Sequence, residues 1–255
     1  MFDWINFLEA SILCGLLTIY LLLFKKNALR SFSDYLLTVV ILTQCWTVLL
    51  FVLVYSESIL NSPHLYKTAA PISFLIAPLC YLYVRSVLFN ELRFKKTDFL
   101  HALPFLFFLV NYFPFFASST ESKLDILNAT LLDKNVAITT QLGLLPESFF
   151  YILRPIQTLF YLAFQWVLVL QFNKAFKVKE VQEQIGVVIS WLKVFTLTNT
   201  AVFFSLVFLI GLYLSIPNIF EENLLSLIPN SLLSISFFVG CTYLLVNPQV
   251  LNGLP

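Results

Sequence analysis

Seven long apolar stretches occupy most of this 255-residue chain, and its basic residues are concentrated in alternate connections between them. A bilayer core of about 30 Å requires about 20 apolar helical residues. Stretches of suitable length predict spans at residues 4–24, 35–55, 69–89, 99–116, 149–172, 188–214 and 224–246. Because these runs are too long and too continuously apolar for barrel strands, the expected fold is an all-α, polytopic seven-transmembrane-helix bundle.

The composition excludes an ordinary soluble domain. Apolar residues make up 59% of the chain and charged residues 11%, against about 45–50% and about 25% in soluble proteins. The formal net charge of +1 argues against nucleic-acid binding by this chain itself, because DNA-binding domains carry a basic patch. The lipid bilayer is therefore the first expected partner.

The charges in the connections predict an orientation. Nine basic residues follow the first, third and fifth spans, and three lie in the connections on the other side. The nine are Lys25, Lys26, Arg30, Arg93, Lys95, Lys96, Lys174, Lys177 and Lys179; the three are Lys67, Lys123 and Lys134. Since basic residues favour the cytoplasmic side, we expect the N-terminus outside and the C-terminus in the cytoplasm.

The longest connection, residues 117–147, contains apolar residues at helical spacing. Leu124, Leu127 and Leu131 alternate with polar positions, which predicts a short amphipathic helix. Such a helix is either a lid over the outer face of the bundle or a cover for loop backbone.

Glu9 and Arg154 stand out among the charged residues of the predicted spans, because a charge costs about 2.5–3.5 kcal/mol near the bilayer centre on insertion scales. Glu9 and Arg154 each lie five residues into a helix that enters from outside, so both are expected about 7–8 Å below the outer boundary. Asn111 and Asn230 fall at similar depths, and Gln157 lies one turn below Arg154. We interpret the five as a ligand-binding pocket open to the outside; the alternative is a structural ion pair with interhelical hydrogen bonds.

Three further amides, Gln44, Gln165 and Asn199, lie deeper in the spans. Amides at such positions commonly bridge helices by hydrogen bonds. We therefore interpret these three as packing contacts.

The sequence lacks the residues that several kinds of chemistry require. Span 224–246 contains no lysine for a retinal Schiff base. His64 and His101 fall on opposite sides of the predicted bundle and cannot share a metal. No GxSxG or HExxH motif is present, and the four cysteines lie within apolar stretches. We expect no catalytic residue, no metal and no cofactor, and hence no enzyme.

Two segments carry a family resemblance. Residues 77–86 read APLCYLYVRS and residues 94–105 read FKKTDFLHALPF. They resemble the membrane-embedded N-terminal region of bacterial AraC-type helix-turn-helix regulators, whose pattern is close to GPLLYLYVRSLL followed by F-x-K-K-D-x-x-H-F-x-P-F. Residues 22–26 and 244–255 are also similar to that family. Ala77 replaces its usual glycine, and Ala102 its frequent phenylalanine.

The same segments contain residues that we expect at the inner membrane boundary, where long basic side chains reach toward water. The predicted inner-face anchors are Arg85, Lys95, Lys96 and His101. Thr97 and Asp98 are expected to cap the fourth helix. His101 either bonds to a neighbouring loop or is an interfacial anchor.

The resemblance implies a function. Residues 1–246 would be a sensor domain in the bacterial cytoplasmic (inner) membrane, and residues 247–255 the start of a linker to a missing cytoplasmic output domain. The sensor would detect an unknown small ligand, outer or membrane-borne, and pass the signal to DNA-binding residues that this chain lacks. A homodimer is implied if the output domain binds paired half-sites.

Two other functions stay open. One is a small-solute transporter, which a deep charged relay or a pair of broken helices would favour; neither is evident in the sequence. The other is a scaffold that recruits a partner through its inner loops.

Overall fold

The fold is helical throughout the residues that the computed structural model describes, which are 4–24, 31–133, 136–177, 183–215, 224–247 and 250. No strand occurs among them, so the predicted all-α class is confirmed. The α-helices are α1 Trp4–Leu23, α2 Phe32–Tyr55, α3 Ala69–Phe89, α4 Leu103–Asn111, α5 Phe113–Phe116, α6 Thr120–Leu132, α7 Val136–Thr139, α8 Glu147–Lys177, α9 Glu183–Ser215 and α10 Leu224–Val246.

Six of these helices are long and apolar enough to cross a bilayer, namely α1, α2, α3, α8, α9 and α10. They coincide with six of the predicted spans, and two of them match at both ends. The chain is therefore a multi-pass membrane protein. Many of its large exposed side chains, such as Phe160 and Phe164 on α8, are apolar, as lipid contact requires.

The predicted span 99–116 differs from the other six because it is not one continuous helix. It consists of a 3-10 segment, Lys96–Ala102, followed by α4 and α5. Pro104 and Pro114 each stand at the start of a new helical piece. Proline lacks a backbone N–H and its ring displaces the preceding turn, so the two prolines divide this segment.

The long helices form a ring. Around it, α1 contacts α2, α2 contacts α3, α3 contacts α8, α8 contacts α9, α9 contacts α10, and α10 returns to α1. Helix α4 packs against α3. We call the end of the bundle at which α3 begins the Lys67 face, and the end at which α3 finishes the Arg85 face.

Local sequence explains where α2 begins and how closely it approaches α1. Ser31 and Asp34 form a reciprocal capping box, in which each side chain accepts a hydrogen bond from the other residue's backbone N–H. A Cβ atom placed on Gly15 of α1 would lie 2.5 Å from Sγ of Cys45 on α2. Only glycine permits this separation.

The predicted helix in the long connection is confirmed as α6 at the Lys67 face. Its residue Leu127 is fully buried. Lys123 is buried as well, and its ammonium donates to the backbone oxygens of Phe116 and Ser118 at 2.8 and 3.0 Å. Helix α6 is thus held to the preceding turn by a lysine that does not reach water.

Candidate functional site

A cavity of about 440 Å³ lies between α2, α3, α8, α9 and α10. Its volume falls within the range of about 300–1,000 Å³ that small-molecule sites occupy. The wall is mostly apolar, with residues such as Leu50, Ile76, Leu162 and Phe203. Its charged and amide-bearing lining residues are Gln44, Lys67, Arg154, Gln165, Asn199 and Asn230.

Arg154 contributes a cationic side chain without an anionic neighbour. Its Cζ atom lies 5.9 Å from the ring centroid of Phe150, a cation–π contact. Its backbone oxygen accepts the hydroxyl of Thr158 within the helix. Within the part of the chain that the structure describes, the guanidinium makes no ion pair and no hydrogen bond.

Lys67, the other cationic residue of the wall, is neutralised. Its Nζ atom lies 3.1 Å from Oε2 of Glu147 and donates to the backbone oxygen of Ala137 at 3.2 Å. The hydroxyl of Tyr112 donates to the same Oε2 at 2.9 Å. Burial alone would lower the pKa of Lys67, but nearby Tyr66, Tyr151 and Glu147 raise it above its usual value. Lys67 is therefore a paired cation at neutral pH.

The opposite end of the cavity is lined by amides. Nε2 of Gln44 donates to Oδ1 of Asn199 over 3.4 Å, and Nδ2 of Asn199 donates to the backbone oxygen of Phe195 at 2.9 Å. Gln165 is 1% exposed, and neither atom of its amide group has a hydrogen-bond partner within the described chain. Arg154 and Gln165 are eleven residues apart on α8, which is about 16 Å along a helix.

Toward the Arg85 face, buried side chains leave little space in the bundle. Nε1 of Trp191 donates a hydrogen bond of 2.6 Å to the hydroxyl of Tyr83. Val84 and Leu192 are fully buried at this level. The cavity thus has a charged end near the Lys67 face and an amide end deeper in the bundle. Beyond the amides lies a smaller cavity of about 40 Å³, which shares Gln44 and Asn199 and is also lined by Trp191.

The structure places two of the five predicted ligand residues in this cavity, Arg154 and Asn230. Glu9 is exposed on α1, makes no ion pair with any described residue and does not line the cavity. The expected meeting of Glu9 with Arg154 is not observed, because α1 packs on α2 and α10, away from α8.

Asn111 and Gln157 also lie elsewhere. Asn111 is 5% exposed, and its Oδ1 accepts the backbone N–H of Leu145 at 2.9 Å. It anchors the chain that leads into α8. Nε2 of Gln157 donates to the backbone oxygen of Phe74 at 3.1 Å. Gln157 lines a separate crevice with His101 and Tyr161.

Of the six charged and amide-bearing lining residues, four were not predicted as ligand-binding residues: Lys67, Gln44, Gln165 and Asn199. The amides carried a signal, since each lies about two turns or more inside an apolar run. Packing explains Asn199, which is bonded to Gln44. It does not explain Gln165, whose amide is unpartnered within the described residues.

The predicted anchors Arg85 and Lys95 belong to a charge cluster at the end of α3. Arg85 contacts Asp98 at 2.7 Å and Glu91 at 2.9 Å, and Lys95 pairs with Glu91. Asp98 also accepts the backbone N–H of Lys95 and so caps the 3-10 segment Lys96–Ala102. The N-cap of α4 is Ala102, so the predicted capping of the fourth helix by Thr97 and Asp98 is not observed. Burial would raise the pKa of Asp98, but hydrogen bonds from Arg85 and Lys95 lower it below its usual value.

Lys96 and His101, the other two predicted anchors, differ in their surroundings. Lys96 is exposed. Nδ1 of His101 lies 2.6 Å from the hydroxyl of Tyr161 on α8. The partner of His101 is thus a long helix and not a loop.

Among the described residues, no group of three or more His, Cys, Asp or Glu side chains is placed to hold a metal. All four cysteines are free thiols. Comparisons with protein-family models, with curated proteins and with solved structures find no match to this chain.

Proposed function

We propose that this chain is the membrane-embedded input domain of a signalling protein, and that it binds its ligand in the cavity between α2, α3, α8, α9 and α10. The observation that carries the proposal is Arg154, a cation in a cavity of ligand size that has no anionic partner among the described residues. Uncompensated charge inside a membrane protein is costly and commonly marks a functional site.

In this proposal the bundle has seven crossings, with the N-terminus outside. The seventh is residues 99–116, which expose Phe99, Leu103 and Val110 as a lipid-facing segment would. The orientation is supported by burial: Lys67 and Lys123 at the Lys67 face are withdrawn from water, whereas Arg93, Lys95 and Lys96 near the Arg85 face are exposed. Exposed basic residues favour the cytoplasmic side.

Helix α3 connects the cavity with the cytoplasmic face in this arrangement. Ala70, Ala77 and Cys80 line the cavity, and Arg85 follows on the same helix. Cys80 and Arg85 are separated by about 7–8 Å along the axis. A ligand that displaces α3 would therefore also displace the charge cluster that joins Arg85 to Asp98.

Beyond the amides the space narrows from a cavity of about 440 Å³ to one of about 40 Å³. This constriction favours a sensor over the transporter considered above, because transport requires a path to both sides. The broken segment 96–116 contacts α3 and does not line the cavity. The resemblance to AraC-type regulators supports an output domain that acts on transcription, a bacterial inner-membrane location and a dimer. An enzymatic role has no support in the residues of the cavity.

The proposal is tested by filling the cavity in a reporter fusion. The full chain is joined after Pro255 to a DNA-binding domain that is active as a dimer, and transcription of its target is measured. Ala77→Phe places a large side chain in the cavity, whereas Ala163→Phe places the same side chain on the exposed side of α8. We expect Ala77→Phe to shift reporter output several-fold and Ala163→Phe to leave it unchanged. Identical output from both variants at equal protein levels would contradict the proposal.

A further inference from the structure

We propose that the ligand of this cavity is a single-chain anionic amphiphile, with a carboxylate or phosphate head group bound by Arg154 and an apolar chain that extends toward Gln165. The inference rests on the proposed function, since it takes the cavity as the ligand site. It adds the chemical class of the ligand.

The positive charge of the cavity wall favours an anionic ligand. Lys67 and Arg154 are the two cationic residues of its wall within the described chain, and no acidic residue lines it there. Glu147 neutralises Lys67, which leaves Arg154 as the cation of the wall that no described residue compensates. The planar guanidinium fork of arginine matches carboxylate and phosphate oxygens in a bidentate geometry.

The shape of the cavity favours a ligand with an alkyl chain. Between Arg154 and Gln165, α8 contributes Thr158 and Leu162 to the wall. The facing helices contribute Phe51 and Val202 at the same levels. Between the charged end and the amide end, this largely apolar passage of about 16 Å buries an alkyl chain favourably.

The volume limits the number of chains. About 440 Å³ lies in the lower part of the range of about 300–1,000 Å³ for sites that enclose drug-sized ligands. One acyl chain of medium length suits this space, whereas a two-chain phospholipid does not. A free fatty acid and a single-chain alkyl phosphate share the required chemistry.

The test uses the full chain in nanodiscs of phosphatidylcholine, which carries no net charge. The probes are decanoate, decyl phosphate, decanol and decyltrimethylammonium, and the measurement is the thermal unfolding midpoint as a function of probe concentration. We expect saturable increases with the two anions and none with the cation, while decanol binds far more weakly. The anion that binds with higher affinity, decanoate or decyl phosphate, shows whether the ligand is a fatty acid or carries a phosphate.

Arg154→Met should weaken binding of the preferred anion by about thirtyfold or more, because truncating one partner of a buried charge pair removes most of the attraction. Arg154→Lys, which keeps the charge but loses the fork, should give an intermediate affinity. Lys193→Met is the matched control, since Lys193 donates to Asn173 outside the cavity. The affinity of Lys193→Met for the preferred anion should equal that of the unaltered chain.

A second measurement separates ligand binding from a structural role. Without any probe, Arg154→Met should be at least as stable as the unaltered protein, because the substitution removes an unpaired interior charge. A fall in the unfolding midpoint, or equal affinity of both Arg154 variants and the unaltered chain for decanoate, would overturn the inference.

The two proposals fail in different ways. If no anionic amphiphile binds but Ala77→Phe changes reporter output, the ligand class is wrong and the sensor function stands. If Ala77→Phe has no effect on output, the proposed function itself fails.

Discussion

Nζ of Lys67 lies 3.1 Å from Oε2 of Glu147, and the side chains are only 11% and 1% exposed. Glu147 is in the first turn of α8, where a carboxylate is also favoured by the helix dipole. The pair therefore ties the turn before α3 to the beginning of α8 and removes one of the two positive charges from the cavity wall.

Glu147→Gln should destabilise the protein because it leaves the ammonium of Lys67 buried without an anion. We expect a loss of about 3–5 kcal/mol in the free energy of unfolding, the usual result when one partner of a buried pair is removed. The measurement is denaturant unfolding in detergent micelles. Glu57→Gln changes an exposed carboxylate at the same face and is the control; equal stability of the two variants would contradict this account.

The charge cluster of Arg85 and Asp98 should depend on pH in the acidic range. Since the folded pKa of Asp98 is below its usual value, the carboxylate adds stability above the unfolded pKa of about 3.9. That contribution is lost as the pH falls through the folded pKa. The stability difference between the unaltered protein and Asp98→Asn should thus be constant from pH 7 to pH 5 and shrink below about pH 4. A difference that does not change with pH would refute this.

The hydrogen bond between Trp191 and Tyr83 should contribute to the packed layer beyond the cavity. Tyr83→Phe leaves the indole N–H buried without its acceptor, which we expect to cost about 1–3 kcal/mol. Because the two side chains share this bond, Tyr83→Phe combined with Trp191→Phe should cost less than the sum of the single changes. A double-mutant cycle on unfolding free energies measures the coupling, and strict additivity would show that there is none.

Gly15 should tolerate no side chain. Gly15→Ala places a methyl group against Cys45, and overpacking of this kind costs about 1–3 kcal/mol. Gly211→Ala on α9 has open space around the new atom and should be neutral or slightly stabilising, since alanine favours a helix over glycine by up to about 1 kcal/mol. Equal unfolding midpoints for the two variants would rule out the close contact of α1 with α2.

The apolar stretches of the sequence predicted the ends of six spans to within a few residues. A membrane helix must satisfy its own backbone hydrogen bonds, and its ends lie where polar residues begin. The same reasoning failed to divide residues 99–116. The length of an apolar stretch takes no account of the backbone hydrogen bonds that Pro104 and Pro114 remove, and these missing bonds interrupt the helix.

The site was predictable in part. Depth along a helix follows from counting residues, and it drew attention to Arg154 and Asn230. The angular position of each helix in the ring does not follow from depth. Glu9 lies on a helix that α2 and α10 separate from the cavity, and Asn111 lies on a segment outside the ring. Tertiary packing decides such placements.

The helices that form the cavity are synthesised in a fixed order. Arg154 is on α8, whereas Asn199 and Asn230 are on α9 and α10, and the chain is synthesised from its N-terminus. Helix α8, the least hydrophobic of the six candidate spans, enters the bilayer with its arginine before the helices that complete the wall exist. A ligand dissolved in the membrane would therefore meet the guanidinium while the site is still open, and the finished bundle would close around it.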